Sequence, residues 1–469
     1  MGSVLTKNGR ALWSLSPRAV SRVLQFKQLV SDLMLDGDDP HLPALDDGVL
    51  ATELMPDAHL IPGFWKIDGY TALIDALRSQ FDVKLGTIHA PEDDANLFPF
   101  PYDWRRDNRA NARRLATFVE RQLAAWRTAS GNMTAQVILI AHSMGGLISR
   151  YYLECLGGHE QCRALITFGT PYRGSLNALN AIANGKRILR FFDVSSALRS
   201  FTSVYQLLPT YPVIKTDAGY MGVIETQGIE HLDLQRANDA LNLFYRPMEE
   251  AATTRAQAGL SLPYRSILII GTNQPTKQSA VLDSSAVAVS EEMPKISRAQ
   301  ALPGYGDSTV PFYSALPAGT RAFDHALHFG IENHSALQCN QHLQQQLLET
   351  LHILQAGGDI LGAESFAVGA KPGLRLLLDD VYPPEGGVIR VEPVDIADDL
   401  GDLLVRLTAL DDQRPTGERR IPFADGAWRL ELERPTPGMY RISAELDRGG
   451  SGAVSPIQDL FAVAAAPML

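Results

Sequence analysis

A chain of 469 residues is longer than one hydrophobic core usually organises, so two domains are expected. Its composition, 45% hydrophobic and 20% charged, is that of a soluble globular protein, and a formal net charge of −11 argues against nucleic acid or anionic membrane surfaces as partners. No apolar run reaches transmembrane length, and the opening "MGSVLTKNGRALW" has no signal-peptide core, so a cytoplasmic protein is expected. Cys155, Cys162 and Cys339 are odd in number and lack ligand-like spacing, which favours buried thiols over a metal site or disulfide framework.

In chain order, "QVILI" is a β-branched and aliphatic run that reads as a buried strand, and residues 145 to 156 read as a helix. "ALITFGTP" and "YRSILIIGTN" are further strands, separated by a long insertion at about 172–262. Within the insertion, Ile188, Leu189, Phe192 and Phe201 fall near helical spacing, which predicts a cap or lid with an apolar face. A closing helix is expected near 336 to 354. Strands alternating with helices imply a parallel sheet flanked by helices, an α/β domain over 1–358. A Gly/Ala-rich connector at 359–372 follows. Beyond it, "GVIRVEPVD", "LLVRLTALDD" and "AWRLELERP" alternate with period two between glycine- and proline-rich turns, which predicts an all-β, immunoglobulin-like sandwich over 373–469.

The chemistry centres on "AHSMGG". Ser143 stands between the apolar strand and the helix, the setting of a nucleophile elbow, where a sharp turn lifts the hydroxyl clear of the sheet. Strand and helix converge at such a turn, so the residues two before and two after the serine must be small; Ala141 and Gly145 qualify. The backbone N–H of Met144, at the helix N-terminus, is the natural oxyanion donor.

A serine nucleophile needs a base, and the base needs an orienting carboxylate. His334 lies in the polar loop "FGIENHSALQ", directly before the final helix, and is the best base candidate. His325 and His328 sit in the strand-like "FDHALHF" and read as structural, while His342 and His352 read as surface positions of the helix. In "GYGDSTVP", Asp307 follows a glycine turn whose backbone N–H groups would keep a carboxylate ionised, and the order Ser143, Asp307, His334 makes it the acid candidate.

Several stretches together carry a resemblance: "IPGFWKIDGY", "FPYDWRRDNR", "AHSMGG", "FGTPYRGS", "YQLLP", "GDSTVP" and the histidine of "NHSAL". Over residues 1 to about 355 the chain resembles the lecithin:cholesterol acyltransferase-like group of α/β-hydrolases, with lysosomal phospholipase and phospholipid:diacylglycerol acyltransferase among its members. The resemblance implies Ser143 as nucleophile, Asp307 as acid and His334 as base, and a cap in the insertion. In "PYDWR", Tyr102, Trp104 and Arg105 would lock a loop beside the site, with Tyr102 and Trp104 also candidates for the substrate pocket. One departure stands out. The family's first core strand ends in a turn that supplies a second oxyanion donor, and "MGSVL" aligns with the end of that turn, so the strand is expected to be missing from the chain as given.

These readings converge on a serine-dependent acyl-ester hydrolase or O-acyltransferase acting on a lipid-like ester, with water or an alcohol as acceptor and no metal or organic cofactor. The alternative is a non-catalytic binding protein built on a degraded hydrolase core, with the C-terminal β-domain as its recognition module.

Overall fold

The computed structural model describes residues 2–12, 23–56, 59–61, 65–89, 94–188, 192–283, 286–295, 305–321, 324–356, 373–394, 396, 400–410, 414–447, 454 and 456–464. The connector 359–372 and Leu189 lie outside them.

Near the start, β1 (Ser3–Lys7) pairs antiparallel with β2 (Val49–Leu54) and with the two-residue strand Arg10–Ala11 in a small separate sheet. Helices α1 (Thr71–Gln80) and α2 (Asn108–Ser130) follow. Asp107 caps α2, its carboxylate accepting from the Arg109 N–H at 2.8 Å, and Gly131 ends it in the left-handed region at φ 71°.

The main sheet comprises β3 (Val137–His142), β4 (Cys162–Phe168), β5 (Arg265–Gly271) and β6 (His325–Gly330). Its order is β6-β5-β4-β3 and every pairing is parallel, with Ile140 beside Ile166 and Ile267 beside both Ile166 and Ala326. Helix α3 (Met144–Cys155) leaves β3 directly, and α4 (Gln341–Gln355) follows β6. The strands read as near-continuous apolar runs because both faces are covered. Ala164, Ile166, Phe168, Ile267 and Ile269 pack with Leu73 of α1 and with Leu343, Leu347 and Leu351 of α4. The alternate residues, Leu139, Leu165, Leu268 and Ile270, join Leu115 and Val119 of α2 and Leu147 of α3. Strand β3 is at the sheet edge among the described residues, and its outer side borders an apolar groove of about 540 Å³.

The segment between β4 and β5 holds helices Leu176–Ala183, Ser195–Ser200, Thr202–Tyr205, Leu234–Asp239 and Arg246–Gln257, with a π-helical turn at Ala240–Tyr245. The helical spacing seen from Ile188 to Phe192 is overturned. Arg187–Ile188 and Phe192–Asp193 pair as an antiparallel hairpin, and helix begins only at Ser195. Strands Ile214–Thr216 and Gly219–Met221 join Ser279–Asp283 and Ala286–Ser290 in a further four-stranded sheet.

Residues 373–463 contribute β7 (Gly373–Leu377), β8 (Gly386–Val394), β9 (Leu403–Ala409), β10 (Arg414–Ile421), β11 (Trp428–Glu433), β12 (Gly438–Leu446) and β13 (Ile457–Val463). One sheet is ordered β7-β8-β11; the other runs from the short strand Val381–Tyr382 through β13, β12 and β9 to β10. Strict alternation of buried and exposed residues along β11 aims Trp428, Leu430 and Leu432 into a core shared with Ile389, Ile442 and Phe461.

Candidate active site

Ser143 sits where β3 becomes α3, at φ 54° and ψ −126°. A non-glycine residue in such a conformation costs of order 1–3 kcal/mol and persists only where its surroundings impose it. Here the Ser143 N–H donates to Phe168 O at 2.8 Å, while its carbonyl accepts from the Gly146 N–H at 3.0 Å and the Thr170 hydroxyl at 2.9 Å. The small-residue requirement falls one position later than expected. A Cβ on Gly145 would meet Ala141 at an ordinary 3.7 Å, whereas one on Gly146 would stand 2.0 Å from Thr170 Oγ1.

The structure brings the three sequence-separated candidates into one line. Ser143 Oγ is 2.8 Å from His334 Nε2, and His334 Nδ1 is 2.7 Å from Asp307 Oδ2. A carboxylate only accepts, so Nδ1 carries the proton and Nε2 is left to accept from the serine hydroxyl. The other Asp307 oxygen accepts from the N–H groups of Thr309 at 3.0 Å and Val310 at 2.7 Å, in a turn that puts Ser308 at φ 77°. The His334 N–H donates to the Asp307 carbonyl at 2.7 Å, so the Asp307 and His334 loops are also joined through their backbones. Asp307 is 1% exposed and His334 7%. Met144, the first residue of α3, lines the same cleft as Ser143 and His334.

Three supporting residues escaped the sequence reading. Gly169, at φ 54° after β4, leaves room for the acid–base pair: a Cβ there would lie 2.7 Å from Asp307 Oδ2 and 3.0 Å from His334 Nδ1. His142 places Nε2 at 2.9 Å from the His334 carbonyl and Nδ1 at 3.1 Å from the Tyr70 hydroxyl. Burial, and next the neighbouring His334, hold its imidazole well below its ordinary pKa. Glu332, two residues before His334, is buried and its carboxyl is pushed up to about 8, chiefly by desolvation. Signals existed for the first two, a glycine closing a strand and a histidine beside the nucleophile, but neither has meaning until the loops converge.

The cleft over Ser143 measures about 650 Å³. Ala178, Ala181, Leu198, Val204 and Leu207 from the insertion give it an apolar wall, and Leu376, Leu377 and Tyr382 from the C-terminal strands face it as well. Tyr102 and Trp104 do not line it, which corrects their assignment to the pocket. Trp104 is fully buried, its Nε1–H donating to Ser3 O at 3.0 Å and its ring edge-on to Phe201 at 5.6 Å. The Tyr102 N–H donates to Ser3 Oγ at 3.0 Å, and Tyr102 borders the groove beside β3 instead. Both hold the "PYDWR" loop against β1. Arg105 anchors the same loop through Asp103 and Asp47, each at 2.7 Å.

His325 belongs to β6 and bonds to Ser266 and Thr320, and burial lowers its pKa to about 4, so it is structural. His342 and His352 lie exposed on α4. All three cysteines are free thiols. Among the described residues no group of three or more His, Cys, Asp or Glu could hold a metal ion, and no helix is long and apolar enough to cross a membrane.

The family model for lecithin:cholesterol acyltransferase matches residues 83–313. A lysosomal phospholipase A and acyltransferase of Canis lupus familiaris is 28% identical over 116 residues; the match covers 23% of this chain and 28% of that protein, well under two thirds of its length. Among solved structures, the Tle4–Tli4 complex aligns at 12% identity over 76% of this chain and 97% of its own, with a TM-score of 0.45. The lipase BlEst2 of Bacillus licheniformis, in propeptide form, aligns at 12% identity over 78% and 85%, with a TM-score of 0.32. Phospholipase PlaB from Legionella pneumophila, in complex with thio-NAD, aligns at 12% identity over 85% and 87%, with a TM-score of 0.29. The matched region spans the elbow serine, the "FGTP" turn and the aspartate loop, and together with the phospholipase relative it supports a lecithin:cholesterol acyltransferase-like family for this chain.

Proposed function

We propose that this chain is a serine-dependent acyl-ester hydrolase or O-acyltransferase acting on a lipid-like ester through an acyl-enzyme on Ser143. The observation that carries the proposal is the line Ser143 Oγ–His334 Nε2–Asp307, with contacts of 2.8 and 2.7 Å at the floor of a partly apolar cleft. In this scheme His334 Nε2 takes the Ser143 proton as Oγ bonds to the ester carbonyl carbon. The oxyanion meets the Met144 N–H at the N-terminus of α3, where the helix dipole also favours negative charge. Asp307 stays ionised and pairs with the imidazolium. Collapse breaks the bond to the alcohol, which leaves with the proton from His334. Water or an acceptor alcohol, deprotonated by the same imidazole, then attacks the acyl-enzyme and frees Ser143. No metal or organic cofactor enters these steps.

The insertion's apolar wall suits an acyl chain, and the match to the lecithin:cholesterol acyltransferase model supports a lipid ester over a peptide or sugar. We further infer that the strands of 373–463 are an immunoglobulin-like sandwich forming a domain of their own. The test is labelling with a fluorophosphonate probe beside turnover of p-nitrophenyl butyrate. Wild type should label on Ser143 and turn over the ester, and Ser143→Ala should lose both. Undiminished turnover in purified Ser143→Ala would overturn the assignment.

A further inference from the structure

The C-terminal strands do more than border the cleft. Gln458 and Asp459, consecutive on β13, bond to three of the four residues from Glu332 to Ser335. The Gln458 N–H donates to the Glu332 carboxyl group, and its carbonyl accepts from Asn333 Nδ2 at 3.5 Å. Asp459 Oδ1 accepts from the Ser335 hydroxyl at 3.1 Å. Short strand Val381–Tyr382 pairs with β13 only at Ala462 and Val463, so the edge around Gln458 is satisfied by the histidine loop instead. From β12, Arg441 forms an ion pair with Asp68, whose N–H donates to Ser335 O at 3.0 Å.

The acid loop is gripped separately, through β7. Gln274 is fully buried and bridges by its backbone to Gly306 and Asp307. Its side chain donates to Leu374 O at 3.2 Å and accepts from the Leu376 N–H at 3.5 Å. Arg375, between them, bonds to Asn273 O at 3.4 Å and stacks its guanidinium over the Tyr305 ring at 4.6 Å. Contact is intimate on this side as well: a Cβ on Gly373 would collide with Ile331 at 2.3 Å.

Resting on the acyl-ester reading above, we infer that the C-terminal β-unit is a clamp that positions the acid and base loops for catalysis, with Asp459 on the unit and Gln274 on the α/β side of the contact as the positioning residues. Neither residue touches the reacting atoms. Each fixes a loop bearing a triad member, and a displacement of about 1 Å at such a loop can cost ~100-fold in rate.

The experiment uses the full-length chain, p-nitrophenyl butyrate and a fluorophosphonate probe. Asp459→Ala removes the acceptor for Ser335, and should lower kcat and the labelling rate about 10- to 100-fold with KM for this small ester unchanged. Asp459→Asn keeps an acceptor oxygen and should return kcat to within about 3-fold of wild type. Ser335→Ala breaks the same bond from the other side, so its loss should match that of Asp459→Ala, and the double variant should lose no more than either alone. Gln274→Ala should reproduce the kcat loss from the acid side. Wild-type kcat and labelling in folded Asp459→Ala and Gln274→Ala would overturn the clamp while leaving the acyl-ester reading intact. If Asp459→Ala does not fold, additive losses in Ser335→Ala combined with Asp459→Asn, or wild-type kcat in Ser335→Ala, would overturn it instead. A wild-type chain that does not label on Ser143 would defeat the acyl-ester reading itself.

Discussion

His142 donates its Nε2–H to the main-chain carbonyl of His334 at 2.9 Å, so the residue before Ser143 holds the backbone of His334. That bond fixes the tautomer: Nδ1 is the acceptor and receives a hydrogen bond from the Tyr70 hydroxyl at 3.1 Å. The two imidazoles lie 5.0 Å apart, centroid to centroid. A protonated His142 would oppose the imidazolium that forms on His334 in the proposed reaction. Burial prevents it, holding His142 well below its ordinary pKa.

His142→Leu should therefore lower kcat for p-nitrophenyl butyrate by about 10-fold or more at near-constant KM, by freeing the His334 carbonyl. His142→Gln, which restores an N–H donor, should recover part of the loss. Tyr70→Phe removes only the outer bond and should cost less than either. Wild-type kcat in His142→Leu would show that the loop needs no anchor from β3.

Gly169→Ala tests the crowding behind the acid–base pair. The substitution forces alanine to φ 54°, which costs about 1 kcal/mol, and drives a methyl to within 2.7 Å of Asp307 Oδ2. Relief requires moving Asp307 or His334 off line. Turnover should fall about 100-fold or more, with a stability loss of about 1–3 kcal/mol in urea denaturation. Near-normal turnover would mean the two loops shift together without losing register.

Ser143, Asp307 and His334 were legible because each sits in a local pattern: an apolar strand meeting a helix, a glycine turn, a polar loop before a helix. Their order along the chain then singled out Asp307 as the acid candidate. What the sequence hid is long-range. Asp459 grips a loop 124 positions earlier, and His142 reaches a carbonyl 192 positions later. Nothing local marks either partner. The hairpin at Arg187–Ile188 and Phe192–Asp193 failed for another reason, since a short apolar run fits a helix face and a hairpin equally well. At the elbow, the spacing rule named Gly145, yet Thr170 crowds Gly146, and Thr170 enters from a different strand's exit loop.

Arg105 offers a stability prediction independent of the reaction. Fully buried, it bonds to Asp103 and Asp47 and to the Leu33 carbonyl at 3.4 Å. Removing one partner of a buried ion pair leaves uncompensated charge, typically at a cost of about 3–5 kcal/mol. Arg105→Leu should lose stability on that scale in chemical denaturation. Arg105→Lys should rescue little, because a single ammonium cannot reproduce the forked contacts. A loss below about 1 kcal/mol in Arg105→Leu would mean that the solvent already reaching Asp47 and Asp103, 29% and 13% exposed, compensates for the lost guanidinium.

Glu332 makes the pH dependence of stability specific. It is 1% exposed and accepts from the Asn333 N–H at 2.9 Å and from Asn340 Nδ2 at 3.2 Å. Burial dominates these contacts and, with a smaller push from the nearby Asp459 carboxylate, raises its pKa to about 8. In the unfolded chain a glutamate titrates near ~4.3. The folded state thus binds the proton more tightly, and its contribution is fully present below about pH 4 and is lost as pH rises through about 8. Glu332→Gln has no proton to lose. Its stability relative to wild type should therefore grow between about pH 5 and pH 8.5, by on the order of 2 kcal/mol. The comparison is of slopes, because the amide's altered bond to Asn340 adds an offset that does not depend on pH. Urea midpoints at half-unit intervals would measure both curves. Parallel curves would mean that Glu332 stays ionised throughout, with its three donors outweighing burial, and that a second fixed negative charge sits beside the His334 loop.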